Sequence, residues 1–171
     1  PITVKHQVVN RSQQNWQGQM FGQLKRDNSD DPGKSSQGIF TLGTYLGGAW
    51  GTPEEHYNKL KFENFNDEKL NVEAKGGWVA MVQHYFVSAW IPGNLKLTQA
   101  DGQPYTAKLE SRQSTDGMNI IGFTSPVINV PAGTSMEVDA KLYSGPKIQS
   151  ELKDLADGLN QTVDYGWLWP I

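Results

Sequence analysis

The chain has 171 residues, no cysteine, and 18 acidic against 15 basic side chains for a formal net charge of −3. That length suffices for one domain with a real core, and the absence of cysteine excludes a disulfide framework and a thiolate zinc site. The charge balance offers neither the basic stripe of a nucleic-acid binder nor a polybasic run for anionic lipid, so no nucleic-acid partner is expected. Pro1 leads straight into a strand pattern without a starting Met or a signal peptide, which reads as an excised piece of a longer chain.

Ile2, Val4, His6 and Val8 alternate with Thr3, Lys5, Gln7 and Val9, a period-two strand. A second strand is predicted from Gln17 to Leu24, then a polar loop from Arg26 to Gly38 whose Asp30-Asp31 reads as a solvated tip. Ile39 to Trp50 reads as a strand followed by a close-packed turn, and Gly43, Gly47 and Gly48 make no phosphate loop because no GKS/T follows. Thr52-Pro53-Glu54-Glu55 has the form of a capping box and predicts a short helix ending near Leu60. Phe62, Phe65 and Leu70 lead to a strand over Leu70 to Ala74.

Lys75 to Pro92 is the apolar centre of the chain, bounded by Gly76-Gly77 and Pro92-Gly93. Its β-branched and aromatic residues predict two core strands, Trp78 to Val82 and Tyr85 to Ile91, with a bend near Gln83-His84. It is too short and too interrupted to span a bilayer. Beyond it, Gln99 to Gly102 reads as a hairpin turn, Tyr105 to Glu110 as an alternating strand, and Met118 to Phe123 as a strand after the Thr115-Asp-Gly117 turn. Pro126 to Pro131 reads as a short edge-like strand. In the next strand Met136, Val138, Ala140 and Leu142 are expected to face in, and Glu137, Asp139, Lys141 and Tyr143 out. Strands at such spacing predict a mainly β, antiparallel sandwich over 1–144.

From Gly145 the pattern changes. Ile148, Leu152, Leu155 and Leu159 recur at helical spacing, with Gly158 and Asn160 where a helix would end. The chain then closes in an almost chargeless aromatic run holding Tyr165, Trp167 and Trp169, expected at a membrane interface. Residues 145–171 are thus expected to form a C-terminal α-helix plus an aromatic segment leading towards a membrane.

Motifs for chemistry are missing. His6, His56 and His84 form no ligand pair, so no metal site is expected, and His84 is expected to be a buried, hydrogen-bonded side chain. There is no GxSxG elbow, no cofactor motif and no candidate catalytic residue. Asn10-Arg-Ser12 and Asn160-Gln-Thr162 match the glycosylation sequon. Six tryptophans and many carboxylates leave a carbohydrate-binding or carbohydrate-modifying sandwich as an alternative reading.

Taken together, Phe21-Gly-Gln-Leu-Lys25, Gly51-Thr-Pro-Glu-Glu55 with Tyr57 to Phe62, Lys75-Gly-Gly-Trp-Val-Ala-Met81, Tyr85-Phe86 with Ala89-Trp-Ile-Pro92, Gly145-Pro146-Lys147 and Val163-Asp-Tyr-Gly-Trp-Leu-Trp169 give the chain a family resemblance. It resembles the large periplasmic domain of the YidC membrane protein insertases of Gram-negative bacteria. The resemblance implies a β-supersandwich of the galactose mutarotase type followed by C-terminal helical structure. It also implies a non-enzymatic accessory role, on the periplasmic face of the inner membrane, in inserting and folding inner-membrane proteins, alone or with the Sec translocon. The implied partners are Sec components and nascent membrane proteins, with membrane attachment through transmembrane segments outside this chain. The family's periplasmic domain is longer at its N-terminus, so the strand from Ile2 is expected to lack neighbours and this piece to self-associate through a sheet edge or an exposed sandwich face.

Overall fold

Period-two patterning gives thirteen antiparallel strands among the described residues of the structure, a computed structural model that describes residues 1–30, 45–97 and 102–163. They are β1 (Ile2–Val9), β2 (Trp16–Gly18), β3 (Phe21–Arg26), β4 (Gly47–Gly51), β5 (Asn58–Leu60), β6 (Asn71–Lys75), β7 (Trp78–Val82), β8 (Phe86–Leu97), β9 (Gln103–Pro104), β10 (Thr106–Gln113), β11 (Asn119–Thr124), β12 (Ile128–Val130) and β13 (Ser135–Pro146). One helix, α1 (Gln149–Leu155), follows β13. Most of the expected Gln99 to Gly102 turn, most of the polar loop after Arg26 and the start of the strand expected from Ile39 lie outside the described residues.

The large sheet runs β1-β13-β8-β7-β4-β5, with β9 beside β8; a second sheet runs β3-β11-β10-β6; β12 and β2 form a separate pair. The two larger sheets face each other across a core of Phe65, Val79, Leu109, Ile121, Phe123, Val130 and Val138, each at most 2% exposed. This is an antiparallel sandwich, mainly β as expected. β7 is buried along its whole length. Val79 and Met81 enter the inter-sheet core, whereas Trp78, Ala80 and Val82 enter a second core on the opposite face of the large sheet. A strand covered on both faces reads as a continuous apolar run, which explains why this stretch dominates the sequence.

Several expectations change. The strand predicted over Gln17 to Leu24 is two strands in different sheets. Its corner is at Met20, whose N–H donates to Ser125 Oγ at 2.9 Å and whose carbonyl accepts the Ser125 N–H at 2.8 Å. Gly47-Gly48 is strand and not turn, because β4 pairs with β7 on one side and β5 on the other. No helix follows Thr52. Its Oγ1 does accept the Glu55 N–H at 3.0 Å, but the Thr52 N–H donates to the Glu55 carbonyl at 2.9 Å and closes a turn. The chain must double back so that β5 can pair with β4, and that short reversal leaves no length for helical turns.

Pro92-Gly93 does not end β8. A register shift sets Gly93 and Asn94 opposite Asp139, and Asp139 Oδ1 accepts the Asn94 N–H at 2.9 Å. A bulge is one of the few places within a sheet that tolerates proline. Tyr143, expected to face solvent, is 4% exposed because α1 covers the outer face of β13 there. Glu137 is only partly exposed and lies between Lys5 at 3.3 Å and Lys96 at 3.7 Å. His84 is half-exposed in the β7–β8 turn and not buried. Tyr85 and Phe86 are exposed there and leave the core strand to begin at Val87.

Candidate functional site

The junction between the C-terminal segment and the large sheet is the candidate site. Helical spacing treats Ile148, Leu152, Leu155 and Leu159 as equals along one face, and the structure separates them. Leu152 and Leu159 are 0% exposed and pack with Trp78, Val82, Val87 and Tyr143; Leu155 is half-buried beside them; Ile148, at the helix N-cap, is 42% exposed. The helix is not continuous across these positions. It ends at Leu155, Ala156 is extended at φ −159° and ψ 145°, and Gly158 adopts φ +79° before a short 3-10 turn over Leu159–Thr162. The reversal drives Leu159 back onto the sheet, which a straight helix does not do.

Polar contacts pin the reversal. Trp78 Nε1 donates to the Asp157 carbonyl at 2.8 Å, and Asp157 Oδ2 lies 2.8 Å from His56 Nδ1. Tyr57 stacks on Trp78 with ring centroids 6.2 Å apart. At the other end of α1, Tyr143 Oη donates to the Pro146 carbonyl at 2.6 Å and lies 3.4 Å from Glu151 Oε2. Burial pushes the Tyr143 phenol pKa up, and the Glu151 carboxylate adds to that shift. His56 carried no motif and Trp78 only its place in the Lys75 to Met81 run, and their roles at the reversal were not legible in the sequence because their partner, Asp157, is distant in the chain.

The arrangement consists of packing contacts and hydrogen bonds that hold the C-terminal segment to the sheet. A cleft of about 240 Å³ beside the reversal is lined by Pro53, Gly77, Trp78, Ile91 and Leu155, and its one carboxylate, Asp157, is already paired with His56. Trp78 is buried and Trp50 and Trp90 are half-buried against the inter-sheet core, while Trp16 is 41% exposed in the small β12–β2 pair. Nothing favours the carbohydrate reading. No cluster of three or more His, Asp or Glu side chains suited to a metal occurs among the described residues. Nor is any helix among them long and apolar enough to cross a membrane. The Asn10 side chain is consumed within the fold: it donates to the carbonyls of Gln14 at 2.7 Å and Val130 at 2.8 Å and accepts the Ser12 N–H at 3.0 Å. Tyr165, Trp167 and Trp169 lie outside the described residues.

The family model described as the YidC periplasmic domain matches residues 1–171. The chain is similar to the membrane protein insertase YidC of Stutzerimonas stutzeri (strain A1501) and of Pseudomonas entomophila (strain L48), 46% identical over 168 residues, which is 98% of this chain and 28% of each relative. Similarity to the membrane protein insertase YidC of Azotobacter vinelandii (strain DJ / ATCC BAA-1303) is 44% over the same lengths. The chain therefore spans 28% of the length of these curated relatives. A match over every residue, together with the sandwich and its C-terminal helical segment, shows that the chain belongs to the YidC periplasmic domain family.

Proposed function

We propose that this chain is a non-enzymatic accessory domain of a membrane protein insertase. It supports insertion and folding of inner-membrane proteins at the periplasmic face, alone or beside the Sec translocon. Its direct partners are Sec components and nascent membrane proteins. Membership in the family supports this reading, as does a site whose polar groups are spent on each other.

Within that role, α1 and the following turn act as a fixed strut. Leu152 and Leu159 anchor it to the sheet, and Tyr165, Trp167 and Trp169 lead from it to the membrane interface. The observation carrying the strut is the double anchorage of Leu152 and Leu159, both at 0% exposure, on either side of a reversal bonded to Trp78. Domain division follows the same line, with 1–144 as sandwich and 145–171 as connection.

The test is complementation of a depletion strain by full-length insertase carrying Leu152→Asp or Lys153→Gln at matched protein levels. Leu152→Asp unseats the strut and impairs insertion. Lys153→Gln, one residue away and exposed, leaves insertion intact. Normal growth and insertion with Leu152→Asp would remove the strut from the mechanism.

A further inference from the structure

At the end of the molecule where α1 begins, large apolar side chains meet solvent together: Tyr85 is 66% exposed, Phe86 53% and Ile148 42%. The backbone gathers them. The Lys147 N–H donates to the Tyr85 carbonyl at 2.9 Å, Pro146 lies opposite Phe86 in the β13–β8 ladder, and the Ile148 N–H folds back to the Pro146 carbonyl at 2.9 Å. The Gln83 N–H donates to the Phe86 carbonyl at 2.9 Å and closes the turn. His84 meets the Tyr85 ring edge-on with centroids 4.0 Å apart, which restrains that ring. The tip is therefore a built turn, held by backbone hydrogen bonds on both strands.

We propose that this tip seats in the interfacial layer of a phospholipid bilayer, with Tyr85 and Phe86 at the boundary between headgroups and acyl chains. Area selects the occupant. Three side chains of this size at these exposures offer on the order of 300 Å², well short of the roughly 800 Å² per partner of a stable protein interface. A lipid layer takes a patch of this size without a complementary partner surface. Tyrosine, with an apolar ring and a polar hydroxyl, is enriched at the headgroup level, and Phe86 and Ile148 supply apolar surface for the layer beneath it. The contact uses residues other than Tyr165, Trp167 and Trp169, and it stands whether or not the strut does.

Because the chain has no cysteine, Gln83→Cys and Ala132→Cys each give one labelling position for an environment-sensitive fluorophore. Ala132 lies beyond the far end of β13, twelve residues long, so the two probes sit about 40 Å apart at the strand rise. Vesicles of phosphatidylethanolamine with a minor part of phosphatidylglycerol are the ligand. The probe at 83 should brighten about twofold and shift to the blue as it leaves water for the interfacial layer, and the probe at 132 should not respond. Tyr85→Ser with Phe86→Ser should weaken the response at 83 about tenfold in vesicle concentration. Trp167→Ser with Trp169→Ser should leave it in place. A silent probe at 83, or a response that survives the Tyr85 and Phe86 changes in a folded protein, overturns the proposal. A probe that responds to raised protein concentration and not to vesicles replaces it with a protein contact. The comparison of positions 83 and 132 on the unaltered tip decides the matter even where the double variant fails to fold.

Discussion

Gly158 shows how one residue sets the C-terminal reversal. Its φ is +79°, and a Cβ added there would meet the His56 carbonyl oxygen at 1.9 Å. Gly117 has the same φ of +79° with nothing within 4 Å of a built Cβ. The two glycines therefore separate backbone preference from steric exclusion. Gly117→Ala should cost about 1–2 kcal/mol, the left-handed penalty alone. Gly158→Ala should cost clearly more, because the clash is with backbone and cannot be relieved by a rotamer. Urea unfolding of the pair measures the difference; equal midpoints would mean the junction yields. A second residue-scale effect is alkaline. Tyr105 is 4% exposed and donates to the Asp139 carbonyl at 3.2 Å, and burial pushes its pKa up to about 12. The unfolded chain releases that proton near pH 10. The folded state thus binds more protons between those values. Its contribution is intact below pH 10 and falls as pH rises towards 12, by a total of about 2–3 kcal/mol. Tyr45 and Tyr143 are raised in the same direction, also first by burial. Denaturant midpoints should therefore drop steeply above about pH 10, and Tyr105→Phe should shallow that slope while lowering stability at neutral pH.

At the scale of elements, α1 is too short to be stable by propensity, since isolated helices below about 12 residues are marginal in water. Its seven residues hold because Leu152 is buried against the sheet. Leu152→Ala should cost about 2–5 kcal/mol, whereas Ile148→Ala, at an exposed N-cap, should stay within about 1 kcal/mol. Thermal or urea unfolding of both variants checks the ranking that helical spacing alone does not give. β1 presents the opposite situation. It pairs with β13 over eight unbroken positions, and no second strand pairs with it among the described residues. Ile2 is 61% and Val9 52% exposed on it. A long, regular edge with apolar side chains is a template for another chain. Self-association at high concentration is expected in sedimentation, and Val9→Lys should reduce it; a strictly monomeric protein removes the edge from consideration.

For the molecule as a whole, two cores share one sheet. The inter-sheet core joins the sandwich, and the second core, built on Trp78, Val82, Val87 and Tyr143, joins the C-terminal segment to it. The second core is smaller and sits at the surface, so it should open first. Amide exchange over 149–163 is expected to run faster than in β7 and β11, and Leu152→Ala should accelerate it there while leaving β11 protected. Uniform acceleration across the molecule would mean that the two cores unfold as one.

What the sequence determined by itself is what periodicity and composition encode locally. The alternation in β1, β10 and β13 is visible because each has at least one face that discriminates between core and solvent. The dense apolar run at β7 is visible because both its faces are covered, and the family resemblance rests on short motifs kept in order. The tertiary structure alone decided where local signals compete with long-range pairing. Thr52 keeps its cap hydrogen bond to Glu55, yet β4–β5 pairing turns the capping box into a hairpin bend. Pro92 passes through β8 because Asp139, 47 positions away in the sequence, supplies the acceptor that makes a bulge. Tyr143 reads as an outward residue until α1 lies over it. Leu159 reads as the last turn of a helix until His56 and Trp78 force the chain to reverse at Gly158. For Pro92 and Leu159 the deciding partner is remote in sequence; for Thr52 and Tyr143 it lies within about ten residues, in an element whose own place is set by pairing or packing on the large sheet.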